Sequence, residues 1–136
     1  MFSTLRIDEY KEGGCNGNFL GIGADSCQNA VVVEQAQAPG LLITNGEFVG
    51  RWSSSNANTL VIKPTVTGKV SLNNCSFWGP IDQCVVMNAP NGQFTANACN
   101  FLSYDLNGKG SPAVRINAGS AIIQGNTFSD GQLQVC

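Results

Sequence analysis

The chain has 136 residues, 43% of them hydrophobic and only 12% charged, with nine acidic against seven basic side chains and a net charge of −2. That length supports one domain and would leave neither half of a divided chain a good core. The acidic balance with scattered Lys and Arg excludes a nucleic-acid partner, and no apolar run approaches the roughly eighteen residues of a transmembrane helix, which excludes a membrane span of that kind.

Glycine, Asn, Ser and Thr take the place of the missing charges, a surface that suits an extracellular protein meeting neutral ligands such as polysaccharides. The absence of His removes the commonest general base and the commonest metal ligand. Residues 1–10 lack a basic region followed by an apolar stretch and are not a signal peptide, so the chain is either intracellular or a mature or excised piece of a longer product. A secreted, extracellular setting is the expectation.

In chain order, residues 1–28 come first and read as loop: Gly13-Gly14-Cys15-Asn16-Gly17-Asn18 and Gly21-Ile22-Gly23-Ala24-Asp25-Ser26-Cys27 carry turn residues without a strand pattern. They are expected to cap a repeat region at 29–136, since the first coil of a solenoid needs covering. A Cys15–Cys27 disulfide fits this segment in a secreted protein. The six cysteines (15, 27, 75, 84, 99 and 136) lack the CxxC spacing of a metal site. Gly21-Ile22-Gly23 lacks the strand-to-helix setting of a phosphate loop.

From residue 29 onward an internal repeat dominates. Residues 39–48, 68–77, 92–101 and 119–128 align on a terminal Phe. With the first residue as position 0, position 2 is Leu41, Val70, Phe94 or Ala121, and position 4 is Ile43, Leu72, Ala96 or Ile123. Position 7 is Gly46, Cys75, Cys99 or Asn126, and position 9 is Phe48, Phe77, Phe101 or Phe128. The Phe residues lie 29, 24 and 27 apart. Short apolar runs (30–33, 60–62, 84–87, 113–116 and 133–135) fall between them, so each period holds at least two short strands with one face inward.

Such a pattern predicts an all-β, single-domain right-handed parallel β-helix of about five coils, stacked about 4.8 Å apart, with a Phe column inside. Its competitor is an antiparallel sandwich whose hairpins resemble one another by accident. The same frame places Cys75 and Cys99 as stacked interior thiols, inward Cys being a good small hydrophobe. A Cys75–Cys99 disulfide between coils is the alternative.

Residues 24–136 resemble the C-terminal coils of bacterial pectate-lyase-like β-helix proteins, through 24–29, 40–48, Asn74-Cys75-Ser76-Phe77-Trp78-Gly79-Pro80 and Asn126-Thr127-Phe128. That group includes polysaccharide lyases, glycosidases and non-catalytic carbohydrate-binding modules, among them a xylan-binding kind attached to xylanases. The enzymes usually have many more coils than this chain holds. The resemblance therefore implies a non-catalytic module for a plant cell-wall polysaccharide, xylan first, linked to a secreted glycoside hydrolase. A truncated or minimal lyase or hydrolase, and a structural terminal domain of a larger β-helix protein, stay open, because fold does not give function.

Candidate site residues cluster after each Phe: Arg51 and Trp52, then Trp78 and Asp82, then Tyr104 and Asp105, then Asp130. If the coils stack, Trp52, Trp78 and Tyr104 line one flank, offering aromatic faces to the C–H faces of sugar rings. Arg51, Asp82 and Asp105 would meet the hydroxyls. The plainer reading of Trp78 is that it packs over its own turn. Hydrolysis needs two carboxylates about 5–10 Å apart, but Asp also favours turns for local hydrogen-bonding reasons. A lyase needs a Lys or Arg base, and Lys63 and Arg115 lie in or beside strands, yet no acidic cluster suggests a Ca²⁺ cage. Asp105-Leu106-Asn107-Gly108 is the nearest thing to a calcium loop. No cofactor or metal is expected, and without His no Ser/His or Cys/His nucleophile system is available.

Overall fold

Each ten-residue segment alternates apolar and polar side chains on both sides of a two-residue break, and that break turns one strand into the next. The computed structural model describes residues 5–8, 17–36, 40–51 and 56–136. Its strands are β1 (Leu5–Asp8), β2 (Gly17–Leu20), β3 (Gly23–Asp25), β4 (Val31–Gln35), β5 (Leu41–Thr44), β6 (Glu47–Val49), β7 (Asn58–Ile62) and β8 (Lys69–Asn73). They continue with β9 (Ser76–Trp78), β10 (Gln83–Met87), β11 (Gln93–Asn97), β12 (Asn100–Leu102), β13 (Pro112–Ile116), β14 (Ser120–Gln124), β15 (Thr127–Ser129) and β16 (Leu133–Val135).

These strands form three parallel sheets of a β-solenoid of about four turns. Sheet I runs β1-β4-β7-β10-β13-β16, sheet II β14-β11-β8-β5-β2, and sheet III β15-β12-β9-β6-β3. Every described pairing is parallel, which rules out the antiparallel sandwich. Among the described residues no helix is long and apolar enough to cross a membrane.

The corner between sheets II and III is two residues long in every rung (21–22, 45–46, 74–75, 98–99 and 125–126). Its first residue is always left-handed: Gly21, Asn45, Asn74, Ala98 and Gly125 have φ of 67°, 56°, 52°, 53° and 66°. Gly and Asn suit that conformation because their steric penalty there is small. Asn74 Nδ2 also donates to Asn45 Oδ1 at 2.8 Å, tying two corners together. By contrast, the corner from sheet III to sheet I varies from three residues (130–132) to nine (103–111). Insertions therefore fall where they leave the register of sheets II and III untouched.

Inside, Phe48, Phe77, Phe101 and Phe128 form one column, with successive ring centroids 5.2, 5.3 and 5.1 Å apart. Leu41, Ile43, Val70, Leu72, Phe94 and Ala96 are buried beside it. The repeat also reaches back beyond residue 29. Gly17 pairs with Leu41, Phe19 with Ile43 and Ala24 with Phe48, while β1 pairs with β4. Ala24 occupies the place of the column Phe, so this rung lacks the residue that marks the others.

Cys75 and Cys99 are separate interior thiols, 0% and 1% exposed, so the inter-coil disulfide is not formed. The Cys75 thiol donates to the Ile43 carbonyl at 3.4 Å, and that of Cys99 to the Asn97 carbonyl at 3.4 Å. Cys15, and with it a Cys15–Cys27 bridge, lies outside the described residues. The hydrogen bond between Cys75 and Cys99 lowers the first thiol to about 7 and raises the second, whereas burial alone pushes Cys84 well up. The folded chain thus keeps the Cys84 proton where an unfolded thiol, near pH 8.5, loses it. The associated stability is complete below that pH and declines as the pH rises past it. Native-state alkylation mapped by mass spectrometry should label exposed Cys136 and leave Cys75, Cys84 and Cys99 unmodified until the chain unfolds. Rapid labelling of the three buried thiols would contradict this core.

Candidate functional site

Because Phe at position 9 points inward, the next residue of each sheet III strand points outward. Asp25, Val49, Trp78, Leu102 and Ser129 form that outward row in register. Trp78 stands half-buried between Val49 and Leu102, on a strand whose neighbour Phe77 is fully buried. Its rotamer freedom is limited by rigid β neighbours rather than by a loop.

Arg51 leaves the corner after β6 and carries its guanidinium over the Trp78 ring, 5.4 Å from the centroid. Gly79 makes this approach feasible. Its φ is +76°, and a Cβ there would lie 2.6 Å from the Cβ of Arg51. The Trp78-Gly79-Pro80 turn thus serves to let the Arg51 segment of the preceding coil lie close. A cation over a Trp face is attracted by the ring quadrupole, by about 0.5–1 kcal/mol at an exposed site.

Along the same face, Asn100 Nδ2 donates to Ser76 Oγ at 3.4 Å. Towards the first rung, Gly23, Asp25, Glu47 and Val49 line an open hollow of about 340 Å³. The face therefore combines an aromatic plate, one cation, two carboxylates, an amide and hydroxyls.

The remaining predicted residues go elsewhere. Tyr104 is 2% exposed and does not reach the flank expected of it. The reason lies in the corner: Ser103, at φ 50°, turns the nine-residue loop so that Tyr104 points into the core. Gly131 in the following rung leaves room for the ring, since a Cβ there would collide with it. Burial, helped by nearby Cys84 and Asp105, raises the Tyr104 hydroxyl above its usual range. Trp52 lies outside the described residues. Of the three aromatic residues expected along one flank, the described chain presents Trp78.

The turn carboxylates hold their own surroundings together. Asp105 accepts from the backbone N–H groups of Lys109 (3.0 Å) and Gly110 (2.9 Å), closing the loop that resembles a calcium site. Asp82 accepts from the Ser111 hydroxyl at 3.4 Å, and Asp130 from that of Ser103 at 3.3 Å. The Asp105 N–H also donates to the Asp82 carbonyl at 3.0 Å, so these two corners are neighbours. Among the described residues no three His, Cys, Asp or Glu side chains group as metal ligands.

A second polar face carries no outward aromatic residue among the described residues. Positions 1, 3 and 5 of the frame point outward on sheet II, where Lys69-Ser71-Asn73 and Gln93-Thr95-Asn97 lie side by side in register. An open hollow of about 440 Å³ crosses these strands. The signal was legible as the amides and hydroxyls Ser71, Asn73, Gln93, Thr95 and Asn97 at odd positions of the second and third segments. No family model, no curated protein and no solved structure matches the chain, so both faces are defined by its own geometry.

Proposed function

We propose that the protein is a non-catalytic carbohydrate-binding module that holds a plant cell-wall polysaccharide against the outer face of sheet III. The observation that carries this reading is the Arg51–Trp78 pair on a half-exposed, β-anchored indole. An indole held by flanking strands offers a flat apolar plate to the C–H face of a pyranose without first losing conformational freedom. The guanidinium, 5.4 Å from the ring centroid, supplies donors for ring hydroxyls. Asn100 and Ser76, one coil apart, extend the polar edge along the solenoid. Xylan is the first ligand by the resemblance of the repeat, and the module would work outside the cell beside a glycoside hydrolase domain.

Two further features support binding without catalysis. The three turn carboxylates all accept hydrogen bonds from the protein, Asp105 within its own loop and Asp82 and Asp130 from hydroxyls in the corner of an adjacent coil. The sequence also supplies no His to act as a base. Affinity gel electrophoresis against soluble xylans, glucans and mannans should retard the protein on at least one of them, with no sugar released. Trp78→Ala should weaken retardation about tenfold or more in apparent Kd, equivalent to about 1.4 kcal/mol. Arg51→Ala should weaken it by a smaller factor. Unaltered retardation in both variants would displace the site, and release of reducing or unsaturated sugars would favour a lyase or hydrolase.

A further inference from the structure

Thr95 is 7% exposed, yet its hydroxyl oxygen has no hydrogen-bond partner. Buried hydroxyls are nearly always paired, so one left open calls for an explanation. Thr95 sits at the middle of β11, flanked in register by Ser71 and Ile122, and lines the hollow on sheet II together with Asn18, Leu42, Lys69, Asn73 and Asn97. Its strand is hydrogen-bonded on both sides, to β8 and β14, so no backbone edge is free here for an added peptide strand.

We infer that this face of sheet II is a second binding surface, taking an extended neutral pyranose chain laid along the solenoid axis with one hydroxyl on Thr95. The ligand class rests on the proposed function, whereas the face does not. Three features select that class. Amide and hydroxyl side chains both donate and accept, as sugar hydroxyls do, and they fill the centre of the face. Among the described outward residues of the sheet Lys69 is the one charge, so an acidic chain would find a single exposed ammonium, which contributes little. The rungs repeat about every 4.8 Å, close to the advance of an extended 1,4-linked pyranose chain per residue. Leu42, across from Ser71, and Ile122, across from Thr95, present apolar side chains at the flanks for ring C–H faces.

Titration of the ¹⁵N-labelled full chain with xylohexaose, followed by amide shifts, separates the two faces. The inference expects saturable shifts at Ser71, Thr95 and Asn97 as well as around Trp78. Thr95→Val, which keeps the shape and removes the hydroxyl, should weaken the sheet II titration about tenfold and leave the Trp78 titration unchanged. Asn97→Ala should act in the same direction. Trp78→Ala should do the reverse. Because the hydroxyl lacks a partner in the free protein, Thr95→Val should not lower the unfolding midpoint, and a lower midpoint would show a structural partner and overturn the inference. Shifts confined to the Trp78 face would also overturn it, while leaving the proposed function in place. Shifts confined to sheet II would do the opposite. A response of sheet II to a charged oligogalacturonide but not to xylohexaose would overturn the neutral ligand class.

Discussion

Replacing Phe77 by Ala is expected to lower the stability of the folded chain by about 3–5 kcal/mol, the range for removing a fully buried aromatic side chain. Phe77 is 0% exposed and touches ring neighbours on both sides, Phe48 at 5.2 Å and Phe101 at 5.3 Å. In a solenoid each coil contacts only the coils next to it, so a central truncation weakens two interfaces at once. Phe128 has one ring neighbour in the column, at 5.1 Å, and is itself partly exposed. Phe128→Ala should therefore cost less than half as much. Guanidinium unfolding of the two variants beside the parent tests this directly. Equal midpoints for the two would mean that the column does not carry the load that its geometry implies. Since domains of this size are stable by only about 5–15 kcal/mol, Phe77→Ala should sit close to the edge of folding.

The second large effect is expected at Asn56, a 0% exposed amide within the corner between β6 and β7. Its Nδ2 donates to the Cys27 carbonyl of the preceding coil at 2.8 Å. Its Oδ1 accepts from the Thr59 hydroxyl at 3.2 Å, and its own carbonyl accepts from the Ile81 N–H of the following coil at 2.8 Å. A Cβ on Gly50 would strike this amide, so the glycine is what makes space for it. Asn56→Ala strands one buried carbonyl and one buried hydroxyl, each worth about 1–3 kcal/mol when left unsatisfied, for a total of about 2–6 kcal/mol. Asn117→Ala is the fitting comparison. It removes an exposed side-chain bond of similar length, 2.7 Å to Asn88, and should change stability by no more than about 0.5 kcal/mol. Thermal or chemical melts of both variants decide the matter, and a harmless Asn56→Ala would contradict the inter-coil role assigned to this amide.

Neither Asn56 nor Thr95 stood out in the sequence, and the reason is the same for both. Asn and Thr in a Ser- and Asn-rich chain carry no pattern of their own. Asn56 matters because Cys27, 29 residues earlier, comes to lie beneath it. Thr95 matters because it lines the sheet II hollow with its hydroxyl left without a partner. Trp78 was legible as a candidate, because an aromatic residue directly after an inward Phe must face out of the strand. Tyr104 looked equivalent because it too follows a column Phe, but it lies two residues beyond the end of β12, inside a corner of different length.

The amino-acid sequence by itself determined the rung. Ten residues with apolar positions 2, 4 and 9 and a left-handed corner at position 6 have one way of burying their apolar side chains, namely in register with the next copy, and that sets sheets II and III, the Phe column and the interior thiols. Only the tertiary structure decided what stands on the surface of that frame. Corners of three to nine residues have no register of their own, so contacts with adjacent coils place Arg51 over Trp78, turn Tyr104 into the core and close the Asp105 loop. Periodicity acts along the strand, whereas these placements arise between coils some two dozen residues apart.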